Sequence, residues 1–281
     1  LLALIATFIF LARRNLLYIP RFRMKEMNGW PKMDGNIILF MEIILVLCIF
    51  TMNGADEAQI LANGGNSYGF SLSSSIAPIF EGINIHTLHI MEMIGWWGHI
   101  LMVFAFMNYL PYSKHFHIFL AFPNTFYSNL WPKGRFNNME SVTNEVKLMM
   151  DPSADPYAAP PEGAPEPQRF GAKDVQDLTW KSLLDSYTCT ECGRCTSSCP
   201  ANITGKELSP RKIMMDTRDR LEEVGSNLRK HGKDFEDGKS LLGDYITEEE
   251  IWACTSCNAC VQECPVNIDP LSIIVDLRRF L

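Results

Sequence analysis

Eight of the nine cysteines in this 281-residue chain fall in two short runs. The first reads CTECGRCTSSCP over 189–200, the second CTSCNACVQECP over 254–265. Both obey C-x2-C-x2-C-x3-C-P. Three thiolates two residues apart can wrap one side of an iron–sulfur cube, while the fourth, ahead of proline, reaches a second cube. The expected grouping is therefore Cys189, Cys192, Cys195 and Cys264 on one 4Fe–4S cluster. Cys254, Cys257, Cys260 and Cys199 would hold the other. Closely spaced cysteines also serve zinc and disulfides, and a lone C-x2-C would not discriminate. Two complete copies favour clusters.

The elements that position these runs repeat. Every cysteine of the first run recurs 65 residues on, and so do Asn202 and Ile203, as Asn267 and Ile268. The insert between the runs is long and helical in pattern. Ser209 and Pro210 suit an N-cap and a first helical position, and Ile213, Leu221, Val224 and Leu228 follow roughly along one face. Thr247 with Glu250 three residues on forms a capping box. Asp269 and Pro270 open a further helix. This arrangement resembles the α-helical ferredoxin domain of heterodisulfide reductase, anaerobic glycerol-3-phosphate dehydrogenase and the iron–sulfur subunit of succinate dehydrogenase. The resemblance covers about 173–281 and rests on the eight cysteines and the two prolines that close the runs.

Composition divides the chain. Its length suits two domains. A mean hydropathy near zero (−0.01) conceals long apolar runs in the first 130 residues and a highly charged remainder. The net charge of −7 argues against nucleic acid as a partner. Cysteines at cluster spacing imply a reducing compartment for the second half. LLALIATFIFLA at 1–12 has no basic stretch before it, which argues against a signal peptide. It reads as the tail of a membrane helix that begins upstream.

Residues 37–52 form a second apolar run, extendable through Asn36 and Asn53 to the length a span needs. Residues 86–110 form the strongest span. Six basic residues, Arg13, Arg14, Arg21, Arg23, Lys25 and Lys32, precede the second run. The segment 53–85 has none and reads as an irregular loop with a short helix at 76–81. Basic residues return at Lys114, Lys133 and Arg135. The excess of Lys and Arg on the cytoplasmic side of membrane proteins then places 13–35 and the cysteine-bearing half inside. Residues 138–150 carry Met139, Val142, Val146 and Met149 on one helical face, suited to a membrane surface or to packing against the second half. Six prolines between Pro152 and Pro167 make a semi-extended linker.

His99 and His117 carry a second chemical signal. They stand 18 residues apart, about five helical turns and about 27 Å of rise, close to the apolar thickness of a bilayer. On one unbroken helix both imidazoles face the same way and can each offer an axial ligand to a haem. The bland alternative is a pair of hydrogen-bonded packing histidines. The run from His99 through Pro111, Ser113 and Lys114 to His117 is similar to the haem-bearing helix of nitrate reductase gamma subunits and of the membrane subunit of heterodisulfide reductase. That resemblance implies that His99 and His117 bind b haems, with Pro111 kinking the helix between them. Haem held by two imidazoles needs partner histidines, which would come from upstream of Leu1 or from another subunit. Glu42, Glu92 and Cys48 are read as packing or hydrogen-bonding residues of the apolar helices, with quinone protonation the sharper alternative for the two carboxylates.

The whole chain resembles membrane-bound iron–sulfur proteins of the heterodisulfide-reductase-related type. In these a nitrate-reductase-gamma-like domain is fused to a dicluster ferredoxin. The expectation is an all-α chain: a fragment of a transmembrane helix bundle over 1–135, an amphipathic segment and linker over 136–172, and an α-helical two-cluster ferredoxin domain over 173–281. The resemblance implies an electron-transfer subunit with two 4Fe–4S clusters and haem b. Its partners would be membrane lipid, a quinone or quinol, and a cytoplasmic redox subunit of the flavin or cysteine-rich reductase type. The rivals are a self-contained membrane-anchored reductase or dehydrogenase, and a cluster-bearing regulatory membrane protein. Against the first, the chain has no Cys-Cys pair and no Rossmann fingerprint.

Overall fold

A computed structural model describes residues 1–67, 72–132, 134–151, 170–233 and 235–281. The expected proline-rich linker, Pro152 to Pro167, and Lys133 lie outside the described residues. The chain is all-α, with no strand among the described residues beyond one isolated bridge from Leu242 to Ile246. It divides into two compact units, Leu1–Phe116 and His117–Leu281. Residues 117–135, grouped by the sequence reading with the membrane half, lie in the second unit.

The first unit is built on α1 (Leu2–Asn15), α2 (Trp30–Ala62), α3 (Leu72–Ile76) and α4 (Ile85–Tyr109). Helices α2 and α4 are long and apolar enough to cross a membrane. Helix α1 meets α2 through polar contacts. Thr7 Oγ1 donates to Glu42 Oε2 at 3.2 Å, and Asn15 and Asn36 exchange amide hydrogen bonds at 3.1 and 3.2 Å. Helices α2 and α4 touch backbone to backbone. A Cβ on Gly95 would lie 2.7 Å from the Met52 nitrogen, and one on Gly98 would lie 2.9 Å from Cys48 Sγ. Cys48 is thus a packing residue under a glycine, as small residues at such crossings allow.

Two expectations change here. Helix α2 starts at Trp30 and runs to Ala62, so 53–62 is helix and not loop. Its last turns are held by tertiary contacts. Ala55 and Ala58 pack with Phe80 and Leu88, and the wholly buried Glu57 accepts from Ser74 at 3.0 Å and from Ser67. The second change is at α4, which stops at Tyr109 and does not run on to His117. Pro111 lacks an N–H and clashes with the preceding turn. Ser113 then leaves the helix, at φ −115° and ψ 151°. The buried Asp34 of α2 fixes the break, accepting from Tyr109 Oη at 2.5 Å and from the Lys114 backbone N–H at 3.1 Å.

The second unit contains α5 (His117–Phe126), α6 (Glu140–Met150), α7 (Trp180–Thr188), α8 (Arg194–Ser197), α9 (Pro200–Ile203), α10 (Pro210–His231), α11 (Glu248–Trp252), α12 (Ala259–Gln262) and α13 (Pro270–Phe280). The expected caps form. Ser209 accepts from the Lys212 N–H, Thr247 and Glu250 close a capping box, and Asp269 accepts from the Leu271 and Ser272 N–H groups. Ile213, Ile251, Ile273, Ile274 and Leu277 fill one apolar core. Gly171, at φ +66°, lies so close to α13 that a Cβ would collide with the Asp276 carbonyl oxygen. Helix α5 is tied in by Asn124, wholly buried, which donates to the Val266 carbonyl at 2.9 Å and accepts from Lys181 Nζ at 3.0 Å. Helix α6 leaves Val142, Val146 and Met149 exposed, so its apolar face is not packed into this core.

A candidate two-cluster centre

Each cysteine run is a loop followed by short helical turns, α8 and α9 in the first, α12 in the second. The loops have matching backbones. Two residues after the first cysteine, Glu191 and Ser256 are left-handed, at φ 57° and 56°. Two residues further, Gly193 and Asn258 are left-handed as well, at 74° and 60°. These reversals at equivalent positions turn successive thiols to one side. They also aim backbone N–H groups at sulfur. Ser256 N–H donates to Cys254 Sγ and Ile268 N–H to Cys264 Sγ, both at 3.4 Å. In the first run the Glu191 N–H bonds Cys189 in the same way. Such bonds favour the thiolate over the thiol.

The thiols neighbour one another within and between the runs. Cys195 is near Cys192, Cys260 and Cys264, Cys189 is near Cys195, and Cys264 is near Cys192. Cys254 is near Cys199 and Cys257, and Cys260 is near Cys254 and Cys199. The fourth cysteine of each run thus lies near cysteines of the other, Cys264 near Cys192 and Cys195, and Cys199 near Cys254 and Cys260. Burial, then repulsion between neighbouring thiolates, pushes the Cys260 thiol up to about 12. Burial likewise dominates at Cys195, pushed up to about 12, and raises Cys189, Cys254 and Cys264. These five thiols resist ionising until cations bind them, as ligand thiols do on metallation. The donor set, soft and all-sulfur, fits iron–sulfur clusters.

The loops are braced by residues that the sequence reading missed. Arg218 of α10 donates to Glu191 Oε1 at 2.8 Å. Arg278 of α13 donates to the Ile251 and Cys254 carbonyls, each at 2.5 Å, and to Ser256 Oγ at 3.4 Å. The signal was present. S-P-R-K-I-M-M-D-T-R at 209–218 and D-P-L-S-I-I-V-D-L-R at 269–278 share Pro, Ile, Asp and Arg at equal spacing. Their offset is 60 and not 65, because the first repeat has five more residues between its last cysteine and its helix. On the far side of α10, Arg220 is nearly enclosed and binds Asp174 and Asp237, each at 2.6 Å. Its hydrogen bonds hold the Asp237 carboxyl well below the usual carboxylate range.

The histidines are placed differently from the expectation. His99 lies on α4 in the first unit, with Nδ1 3.4 Å from the Leu45 carbonyl oxygen. An Nδ1–H donated there leaves Nε2 for a metal. His117 opens α5, after the break, in the second unit. The two are not on one helix, so the argument from five unbroken turns does not hold.

Residues 188–268 match the 4Fe-4S dicluster domain family. The second unit therefore holds a 4Fe–4S dicluster domain. The whole chain is similar to a probable iron-sulfur-binding oxidoreductase, FadF, of Bacillus subtilis, at 29% identity over 99% of this chain and 40% of the relative. It is also similar to an EtfAB:quinone oxidoreductase of Syntrophomonas wolfei, at 28% over 92% of this chain and 36% of the relative. The cluster domain is similar to one component of a ferredoxin/F(420)H(2)-dependent CoB-CoM heterodisulfide reductase of Methanosarcina acetivorans, at 33% over 34% of this chain and 46% of that component. The chain spans about two fifths of the length of the first two relatives. No solved structure matches it. The chain is thus similar to iron–sulfur oxidoreductases, and its second unit matches the 4Fe-4S dicluster domain. The two apolar helices, with a similar probable membrane-anchored ferredoxin of Chromohalobacter salexigens (36% over 40% of this chain and 19% of the relative), support membrane association.

Proposed function

We propose that the chain is the electron-transfer part of a membrane-bound respiratory oxidoreductase, passing electrons between a quinone pool and a cytoplasmic redox partner. The observation that carries this reading is a 4Fe–4S dicluster domain joined in one chain to two helices long and apolar enough to span a bilayer. Cys189, Cys192, Cys195 and Cys264 hold one cluster, and Cys199, Cys254, Cys257 and Cys260 hold the other. When bound, the clusters supply one-electron carriage. The chain's own residues fix the sulfurs, donate N–H groups to some of them and bury Cys189, Cys199 and Cys260.

Helices α2 and α4 cross the membrane, with the six basic residues of 13–35 and the dicluster domain on the cytoplasmic side. His99 is an axial ligand to a b haem, which the Leu45 carbonyl on Nδ1 supports, and His117, on a separate helix, is a second one on the motif resemblance alone. The cytoplasmic partner holds the catalytic centre, of the flavin or cysteine-rich reductase type.

The test is made on anaerobically purified full-length protein. About eight non-haem irons, as two cubanes require, and a b-type absorption band are expected. Stoichiometric zinc with little iron would sink the cluster assignment, and absence of the band would sink the haem. Cys199→Ser is expected to lose the cluster held mainly by the second run. Loss of the first-run cluster alone would reverse the grouping. A reporter inserted near Gly65 should be active only outside the cytoplasm, and the opposite labelling would overturn the sidedness. Turnover of a disulfide or hydroxy acid by the protein without a partner would favour the self-contained reductase instead.

A further inference from the structure

The two repeats place an arginine at the same point beside their first cysteine, but they differ in the charges around it. Arg218 and Arg278 each stand eight residues after the helix-opening proline. Each reaches the left-handed residue two places after the first cysteine, Glu191 in one repeat and Ser256 in the other. The Cys189 thiol feels both the Arg218 cation and the Glu191 anion, which oppose each other. The Cys254 thiol feels Arg278. All the hydrogen bonds of Arg278 go to neutral oxygens, and its guanidinium lies 5.0 Å from the Trp252 ring centroid. Among the described residues no carboxylate lies within ion-pair distance of it.

We propose that Glu191 and Ser256 separate the reduction potentials of the two clusters, the first by masking the arginine beside it and the second by leaving its arginine bare. The inference rests on the ligand grouping proposed above. Reducing a cubane adds one electron and makes or breaks no bond. A fixed cation nearby favours the added negative charge and raises the potential, and a carboxylate lowers it. Both groups are shielded from water. Arg218 keeps 14% side-chain exposure and Glu191 2%, so solvent screens them weakly. Other charges stand near the thiols. Arg218 also pairs with the exposed Asp219 at 3.5 Å, Arg211 donates to the Glu191 carbonyl at 3.5 Å, Asp185 is paired with Lys181 and bears on Cys264, and Asp269 caps α13 and bears on Cys260. These remain unchanged when position 191 or 256 is substituted, so they cancel from the comparison.

The test is a redox titration of the anaerobic full-length protein, followed by electron paramagnetic resonance of the reduced clusters. Glu191→Gln should raise the potential of one cluster and leave the other in place. Ser256→Glu should lower the potential of the other cluster. Arg278→Gln should lower that same second cluster, and Arg278→Lys, which keeps the charge but not the forked hydrogen bonds, should hold it near the wild-type value. A purely structural role for Arg278 would instead make the Lys and Gln variants alike and overturn the proposal. So would Glu191→Gln and Arg278→Gln shifting one and the same signal. Should Arg278→Gln lose iron, Ser256→Glu decides, because it retains the arginine. Protein without iron would overturn the functional reading, whereas two intact cubanes indifferent to all three charges would overturn this inference alone.

Discussion

The two units of this chain differ in what they expose. In Leu1–Phe116 many large apolar side chains face out, with Ile94, Leu101, Phe104 and Met107 all exposed. Inside stand small and polar residues, Gly95, Ala55, Asp34 and Glu57, beside a few large apolar ones such as Leu39, Phe80 and Leu88. In His117–Leu281 the aliphatic residues are inside and most of the charged ones outside. A lipid medium around the first unit, as proposed above, would account for the difference. Where water is outside, burying apolar area drives folding. Where lipid is outside, that drive vanishes, and close helix contact and buried hydrogen bonds must replace it. The comparison teaches that each unit should fail by a different route.

The largest effect is expected in the second unit, from charge. Arg220→Ala leaves Asp174 and Asp237 facing each other without their shared cation. Removing one partner of such an enclosed group costs about 3–5 kcal/mol. Thermal unfolding of the cysteine-bearing domain should shift accordingly, and cluster loss on warming should come earlier. A shift below about 1 kcal/mol would mean that the network is a solvated surface pair.

The same network predicts a pH dependence. The folded pKa of Asp237 is depressed by Arg220, so its contribution is present above the unfolded value of about 4 and is lost as pH falls below it. Wild-type stability should decline as pH drops from about 5 toward 3, and Arg220→Ala should flatten that slope. An unchanged slope would assign the acid sensitivity to other carboxylates.

The first unit should instead be broken by bulk. Gly95→Leu drives a side chain into the Met52 and Cys48 backbone of α2, an overpacking worth about 1–3 kcal/mol. The expected outcome is faster proteolysis of the α2–α4 pair in detergent, with the iron content unchanged. Iron loss in parallel would show that the units do not fail separately. The smallest effect is a cap. Thr247→Ala removes the acceptor for the Glu250 N–H, costing about 1 kcal/mol of the second unit. It should lower the midpoint of domain unfolding and leave both cluster spectra in place.

Much of the second unit was legible in the sequence because its signals are local. The cysteine spacing, the Ser209 and Asp269 caps and the capping box at Thr247 each act over a few residues, and all three caps form. The helical run at 86–110 was legible by the same logic, since a continuous apolar stretch declares itself without a partner. Tertiary structure decided what depends on residues far apart. Helix α2 extends to Ala62 because Phe80, Ser67 and Ser74 cover its last turns. Helix α4 stops at Tyr109 because Asp34, 75 residues away, takes the hydrogen bonds of the break, and this removes His117 from the helix that carries His99. Pro111 marked a kink, but a kink and a stop differ only in whether another element satisfies the freed backbone. The arginines beside Cys189 and Cys254 were hidden for a related reason. Their repeat runs at 60 residues and the cysteines' at 65, and only folding brings the two registers together at one sulfur.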